Sequence, residues 1–205
     1  MNTRNVAAGV LKTSVFFVFV FFFSAIVGFH NYYSAVDVII PLLEKMRYDI
    51  FNPTSQLSTA VNVFMNNLSV SLIIYLTGIT VALPILVVSF NGFIVGFFAR
   101  YSLLHDEIGL SFFVKGVLAH SIFELPALFI AASSGLRVGT VFYSLLFEVL
   151  EKRLRGEQYN LKQKITVLKK RMNEGVAVFI SIVLPLLLIA AFVEVYITAW
   201  LLGIY

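Results

Sequence analysis

The chain is dominated by apolar runs that match the thickness of a bilayer. Leu11–Phe29, Leu68–Leu104, Leu110–Ser133 and Val176–Leu201 are each close to, or longer than, the roughly 20 apolar residues a helix needs to cross the hydrocarbon core. Nothing in that core hydrogen-bonds an exposed peptide group, so such runs close their backbone bonds internally, as helices. With 60% hydrophobic residues and a mean hydropathy of +0.93, a water-soluble domain is excluded. The expectation is an all-α fold, a polytopic transmembrane helical bundle. It has about five full spans, a short or re-entrant helix and a cytoplasmic amphipathic helix. One integral membrane domain over residues 1–205 uses the full length and leaves no room for a separate soluble enzyme.

The first run, residues 11–29, follows Arg4 and Lys12 and is long for the apolar part of a signal peptide, so it reads as a span. Residues 30–66 read as an external connector with a short amphipathic element, Val36–Phe51, broken at Pro41. Asn52-Pro53 suits a helix start, with Asn as cap and Pro in the first turn. Residues 68–104 hold either two spans divided near Pro84, or a span followed by a half-helix opening at Asn91-Gly92. Residues 110–133 form a span, and residues 135–150 a short helix near the lower limit for a crossing.

Residues 151–174 carry eight of the fifteen Lys and Arg. Leu161, Ile165, Leu168 and Met172 recur there at helical spacing. The segment reads either as an amphipathic helix on the membrane surface, drawn to anionic lipid, or as a solvated helical hairpin packed on the rest of the protein. Cytoplasmic loops are rich in Lys and Arg. That sets the N-terminus and residues 151–174 inside and, after the 176–201 span, the C-terminus outside. The basic cluster lacks the interleaved aromatics of a nucleic-acid surface, so no nucleic acid is expected as a partner.

Ionisable side chains at bilayer depth are costly, which makes them candidates for function. His120 and Glu124 lie four residues apart on one helix face, just before Pro126. With Asn91 and Glu194 they form a candidate polar midplane site. Three roles are open for the His–Glu pair: proton or ligand handling, metal binding, or a structural lock for a broken helix. Small residues outline helix-packing faces: Gly92 and Gly96 form one GxxxG, and Ala127, Ala131, Gly135 and Gly139 recur at every fourth position. Such faces serve packing within a chain or a homo-oligomer. The chain has no cysteine and no phosphate-loop, nucleophile-elbow or HExxH motif. No catalytic residue, metal or cofactor is expected.

FMNNLSVSL (Phe64–Leu72), FNGFIVGFFAR (Phe90–Arg100) and AHSIFELPALFIAASSGLRVG (Ala119–Gly139) together resemble the stage II sporulation protein M family. Its members carry an N-G-x-x-x-G stretch and a segment close to P-H-G-x-x-E-L-P-A, followed by spaced glycines. His120, Glu124, Pro126, Ala127, Gly135 and Gly139 match that pattern, while Ala119 and Ser121 replace the usual Pro and Gly. The resemblance implies a polytopic membrane protein. In endospore-forming bacteria the family's namesake serves engulfment by anchoring partners that remodel peptidoglycan. Members also occur in organisms that do not sporulate.

Two functions follow as expectations. The first is a non-enzymatic membrane scaffold or anchor for partner proteins. The alternative is a transporter-like or lipid-handling permease that uses the polar site between interrupted helices.

Overall fold

The computed structural model describes residues 3–50, 55–105, 109–156 and 161–203. For residues 3–5, 43, 46–50, 112, 118, 120, 161 and 163 it describes the backbone alone. The described residues are helical almost throughout. In order they are α1 (Thr3–His30), α2 (Tyr32–Ile50), α3 (Gln56–Leu76), a 3-10 turn (Thr77–Thr80), α4 (Ala82–Leu104) and α5 (Gly109–Phe113). A first π-helical segment (Val114–Leu118) leads into α6 (Ala119–Leu154). Then come α7 (Leu161–Val178), a second π segment (Phe179–Val183), α8 (Leu184–Phe192), a third π segment (Val193–Thr198) and α9 (Ala199–Leu201).

Five helical stretches are long and apolar enough to cross a membrane: Val6–His30, Gln56–Thr80, Ala82–Leu104, Ser121–Leu154 and Lys164–Leu201. Large apolar side chains such as Phe19, Phe23, Leu86 and Phe192 stand exposed on them, as helices bathed in lipid require. The core lies between α1, α3, α4, α6 and α8. Phe17 and Phe21 of α1 pack on Ile74, Val88, Leu128 and Phe129, with the Phe21 and Phe129 rings edge to face at 5.6 Å.

Several boundaries differ from the sequence reading. Residues 135–150 are not a separate short helix: α6 runs unbroken for 36 residues through Gly135. Gly135 does not break it because its bare backbone lies against the Ile74 and Tyr75 carbonyls of α3, where a Cβ would collide. Pro41 does not break α2, which continues through it with the ring exposed. Residues 56–66 belong to a span, not to the connector. Ser55 caps that helix, its hydroxyl accepting from the Ser58 N–H at 3.1 Å; Asn52-Pro53 lies outside the described residues. Within 68–104 there are two spans, and the half-helix alternative is not adopted. Their turn falls at Thr77–Val81, just before Pro84.

Val81 closes that turn at φ 59°, ψ −46°. Positive φ is a strained conformation for a β-branched residue, costing on the order of 1–3 kcal/mol. Val81→Gly removes the Cβ clash and is expected to raise the thermal unfolding midpoint in detergent; a lower midpoint would contradict the turn geometry.

The small-residue faces lie inside the chain. A Cβ on Gly92 would meet the Phe21 carbonyl, one on Gly96 the Ala25 carbonyl, and one on Gly28 the Phe93 carbonyl. Thus α1 and α4 touch backbone to backbone at three points over about two turns. Gly135 and Gly139 of α6 press on the end of α3 and on Gly78 of the 3-10 turn. Ala127 and Ala131 are fully buried against Tyr75, Phe179, Val183 and Leu187. Several polar side chains within spans bond their own helix: Ser133 Oγ donates to the Phe129 carbonyl and also pairs with Ser14 Oγ at 2.9 Å.

Candidate functional site

Two polar groupings and one projecting element stand out. The first grouping centres on Glu124 and Glu194. Glu124 sits in the second turn of α6, directly after the first π segment. Glu194 sits inside the third π segment. These two π segments touch each other, and the carboxyl groups are close enough for their charges to oppose one another. A π turn inserts an extra residue into the helix, re-aims the side chains around it and is frequent at functional sites. Thr198, one turn beyond Glu194, holds a buried hydroxyl without a partner among the described residues.

The other sequence candidates are placed differently. The His120 side chain lies outside the described residues. Asn91 is on α4, and its amide donates to the Val87 carbonyl of its own helix at 2.9 Å; nothing among the described residues joins it to the carboxyl pair. Glu124 is 13 residues above Arg137, about 20 Å at ~1.5 Å per residue, in the half of the bundle away from the α6–α7 connection. Among the described residues no group of three His, Cys, Asp or Glu could hold a metal ion.

The second grouping lies at the opposite end. Arg137 of α6 donates to the Val6 carbonyl of α1 at 3.0 Å, its guanidinium resting on Gly9. Arg171 of α7 bonds Glu174 at 2.9 Å, and Glu174 is 4% exposed. Both lie within electrostatic reach of Arg137. The three surround a small cavity that Ser134, Gly175, Val6, Val10 and Val178 complete. Tyr75 stands behind it, its hydroxyl donating to the Met172 carbonyl at 2.9 Å. Tyr75→Phe removes that bond, worth about 1 kcal/mol, and is expected to speed amide exchange in residues 161–174; unchanged exchange would show that the bond does not anchor α7.

Sequence reasoning passed over this cluster. Arg137 read as the flank of a short helix, and Glu174 as the edge of a basic segment. The available signal was Arg137 itself, a guanidinium between Gly135 and Gly139 in an otherwise apolar run.

The projecting element is the α6–α7 hairpin. Gly139 marks the level where α3 turns back. Beyond it α6 continues from Thr140 to Leu154, about 22 Å of helix at ~1.5 Å per residue, and α7 returns alongside. Glu148 ties the two through Lys164 of α7 at 2.6 Å, and it also pairs with Lys152 on its own helix at 3.6 Å. Residues 161–174 do not form a separate surface helix, because α7 is continuous with the last span. Part of their apolar stripe is left open: Ile165 and Met172 are exposed while Leu168 is partly buried, and Phe147, Leu150 and Leu154 on α6 are exposed too.

Such an architecture, five apolar crossings packed through glycine contacts with polar groups at both ends, defines a polytopic α-helical membrane protein. The family model of stage II sporulation protein M matches residues 13–199. The chain belongs to that family. No curated protein and no solved structure matches the chain.

Proposed function

We propose that this protein is a non-enzymatic membrane scaffold that holds partner proteins on its α6–α7 hairpin. The observation that carries the reading is the hairpin itself. It extends about 20 Å past the contact between Gly139 and Gly78 and combines exposed Phe147, Leu150, Leu154 and Ile165 with a surplus of Lys and Arg. Exposed apolar patches rimmed by charge mark interaction surfaces. The basic rim suits a partner with an acidic surface, and also anionic lipid at residues 151–174. By the same Lys and Arg bias, the hairpin and the N-terminus face the cytoplasm and the C-terminus faces outward. The glycine faces are occupied within the chain, so a homo-oligomer would need another surface.

Purification in mild detergent from its own cells tests this. Wild-type protein should retain a partner in fixed stoichiometry. Lys162→Glu combined with Lys169→Glu, at exposed positions, should lose it while the fold is kept. Retention by the charge-reversed protein would contradict the hairpin as the docking element. Glu124→Gln provides a control at the far end, expected to leave partner binding intact.

The carboxyl pair favours a second reading, a transporter-like or lipid-handling protein. Two acidic groups between adjoining π segments could exchange a proton or cation across the outer half of the bundle. Wild-type proteoliposomes would then pass protons down a pH gradient, and Glu194→Gln would abolish the flux. Equal flux in the two, or none above empty vesicles, would count against it.

A further inference from the structure

The cavity at the root of the hairpin is lined by more positive than negative charge. Arg137 and Arg171 supply two guanidinium groups, whereas Glu174 supplies one carboxylate, so the walls carry one net positive charge. Among the described residues Arg137 bonds the Val6 carbonyl through Nη1, which leaves further N–H groups of its planar fork to serve a ligand. Ser134 lines the same cavity. It is 3% exposed, and its hydroxyl has no hydrogen-bond partner among the described residues. A buried hydroxyl without a partner is costly unless something supplies one. Neighbouring serines in the spans do find partners: Ser133 bonds Phe129, and Ser121 bonds the Val117 carbonyl. Ser134, like Thr198 at the other end of the bundle, has none among the described residues, and Ser134 lines a cavity with two arginines.

We propose that this cavity seats one oxygen of a phosphate group, held by Arg137, Arg171 and the Ser134 hydroxyl. The size fits a single atom and not a whole ion: the cavity leaves only about 10 Å³ for the centre of a water-sized group. One phosphate oxygen enters, and the rest of the group remains at the mouth. Arginine matches phosphate because its donors form charge-assisted bonds in a fixed geometry. The position suits a headgroup: Val6 begins the first apolar stretch, and Glu174 stands where the basic run 151–174 gives way to the apolar residues 176–201, the kind of boundary at which lipid phosphates lie. A lipid bound there would bridge α1, α6 and α7 and steady the hairpin. The seat does not depend on the scaffold reading.

The test uses the full chain, stripped of lipid in neutral detergent. The probes are phosphatidylglycerol, phosphatidylcholine and inorganic phosphate, each added while the unfolding midpoint and native mass are followed. Phosphatidylglycerol should raise the midpoint more than phosphatidylcholine and remain bound in the mass spectrum. Ser134→Ala, which removes only an unpartnered hydroxyl and should fold normally, should weaken that binding about tenfold, as loss of one bond to a charged group would. Arg171→Gln should weaken it further. Stabilisation by inorganic phosphate as well as by lipid, lost in both variants, makes the source a free oxyanion; stabilisation by lipid alone makes it the headgroup. Both support the seat. No preference for the anionic lipid and no response to phosphate, or equal binding by wild type and Ser134→Ala, would overturn it and leave a water-filled gap.

Discussion

Gly96→Leu is expected to yield no monodisperse protein in detergent. A Cβ at Gly96 falls directly on the Ala25 backbone carbonyl of α1. Overpacking a core usually costs about 1–3 kcal/mol because side chains move aside. Here the obstacle is main chain, and α1 cannot retreat without also releasing Gly92 from Phe21 and Gly28 from Phe93. The contact is also the most extensive in the bundle, so its loss separates the first span from the rest. The cost should exceed the usual range and consume much of the ~5–15 kcal/mol that holds a typical domain. Size-exclusion chromatography in detergent reads the outcome. Leu86→Ala, on a lipid-exposed position, should leave the profile unchanged. A monodisperse Gly96→Leu protein with the wild-type unfolding midpoint would show that α1 and α4 do not meet as described.

Glu174→Ala should be the second most damaging change. Glu174 is 4% exposed, pairs with Arg171 at 2.9 Å and faces Arg137. Removing one partner of a buried pair costs about 3–5 kcal/mol, since the other charge is left uncompensated. Arg171 keeps 38% of its side chain exposed, which allows water to screen it and brings the expected loss nearer 2 kcal/mol. The midpoint of thermal unfolding should fall, and amide exchange at the root of α7 should rise before exchange elsewhere. Arg171→Ala, which leaves Glu174 beside Arg137, should cost less. Equal and negligible effects would show the cluster to be a solvated surface group.

The fold was legible where hydropathy alone decides it. Runs such as residues 11–29 and 176–201 are too long and too apolar for anything except a crossing, and their helices appear as expected. Boundaries were less legible because they depend on tertiary contact. Gly135 reads as punctuation, yet its missing Cβ lets α6 lie on α3 and continue. Pro41 reads as a break, yet α2 accommodates it on an exposed face. The GxxxG pairs announced close packing but not the partner helix. That choice belongs to the three-dimensional arrangement, where Gly92 and Gly96 meet α1 and Gly135 and Gly139 meet the α3 turn.

The candidate site was legible only in part. Glu124 and Glu194 are 70 residues apart, and their meeting follows from two π segments that hydropathy does not encode. The Arg137–Arg171–Glu174 cluster joins α1, α6 and α7, and no spacing rule connects those positions. The hairpin was half visible: its charge and periodicity were plain, but not its continuity with the last span.

The central claim is that the α6–α7 hairpin is a docking arm for protein. A photo-crosslinking amino acid placed at Leu154, which is 88% exposed, tests it in living cells, with the same group at lipid-facing Phe19 as reference. The account predicts one discrete protein adduct from position 154, lost when Lys162 and Lys169 are reversed to Glu, and only lipid adducts from position 19. Lipid adducts alone at both positions would contradict it.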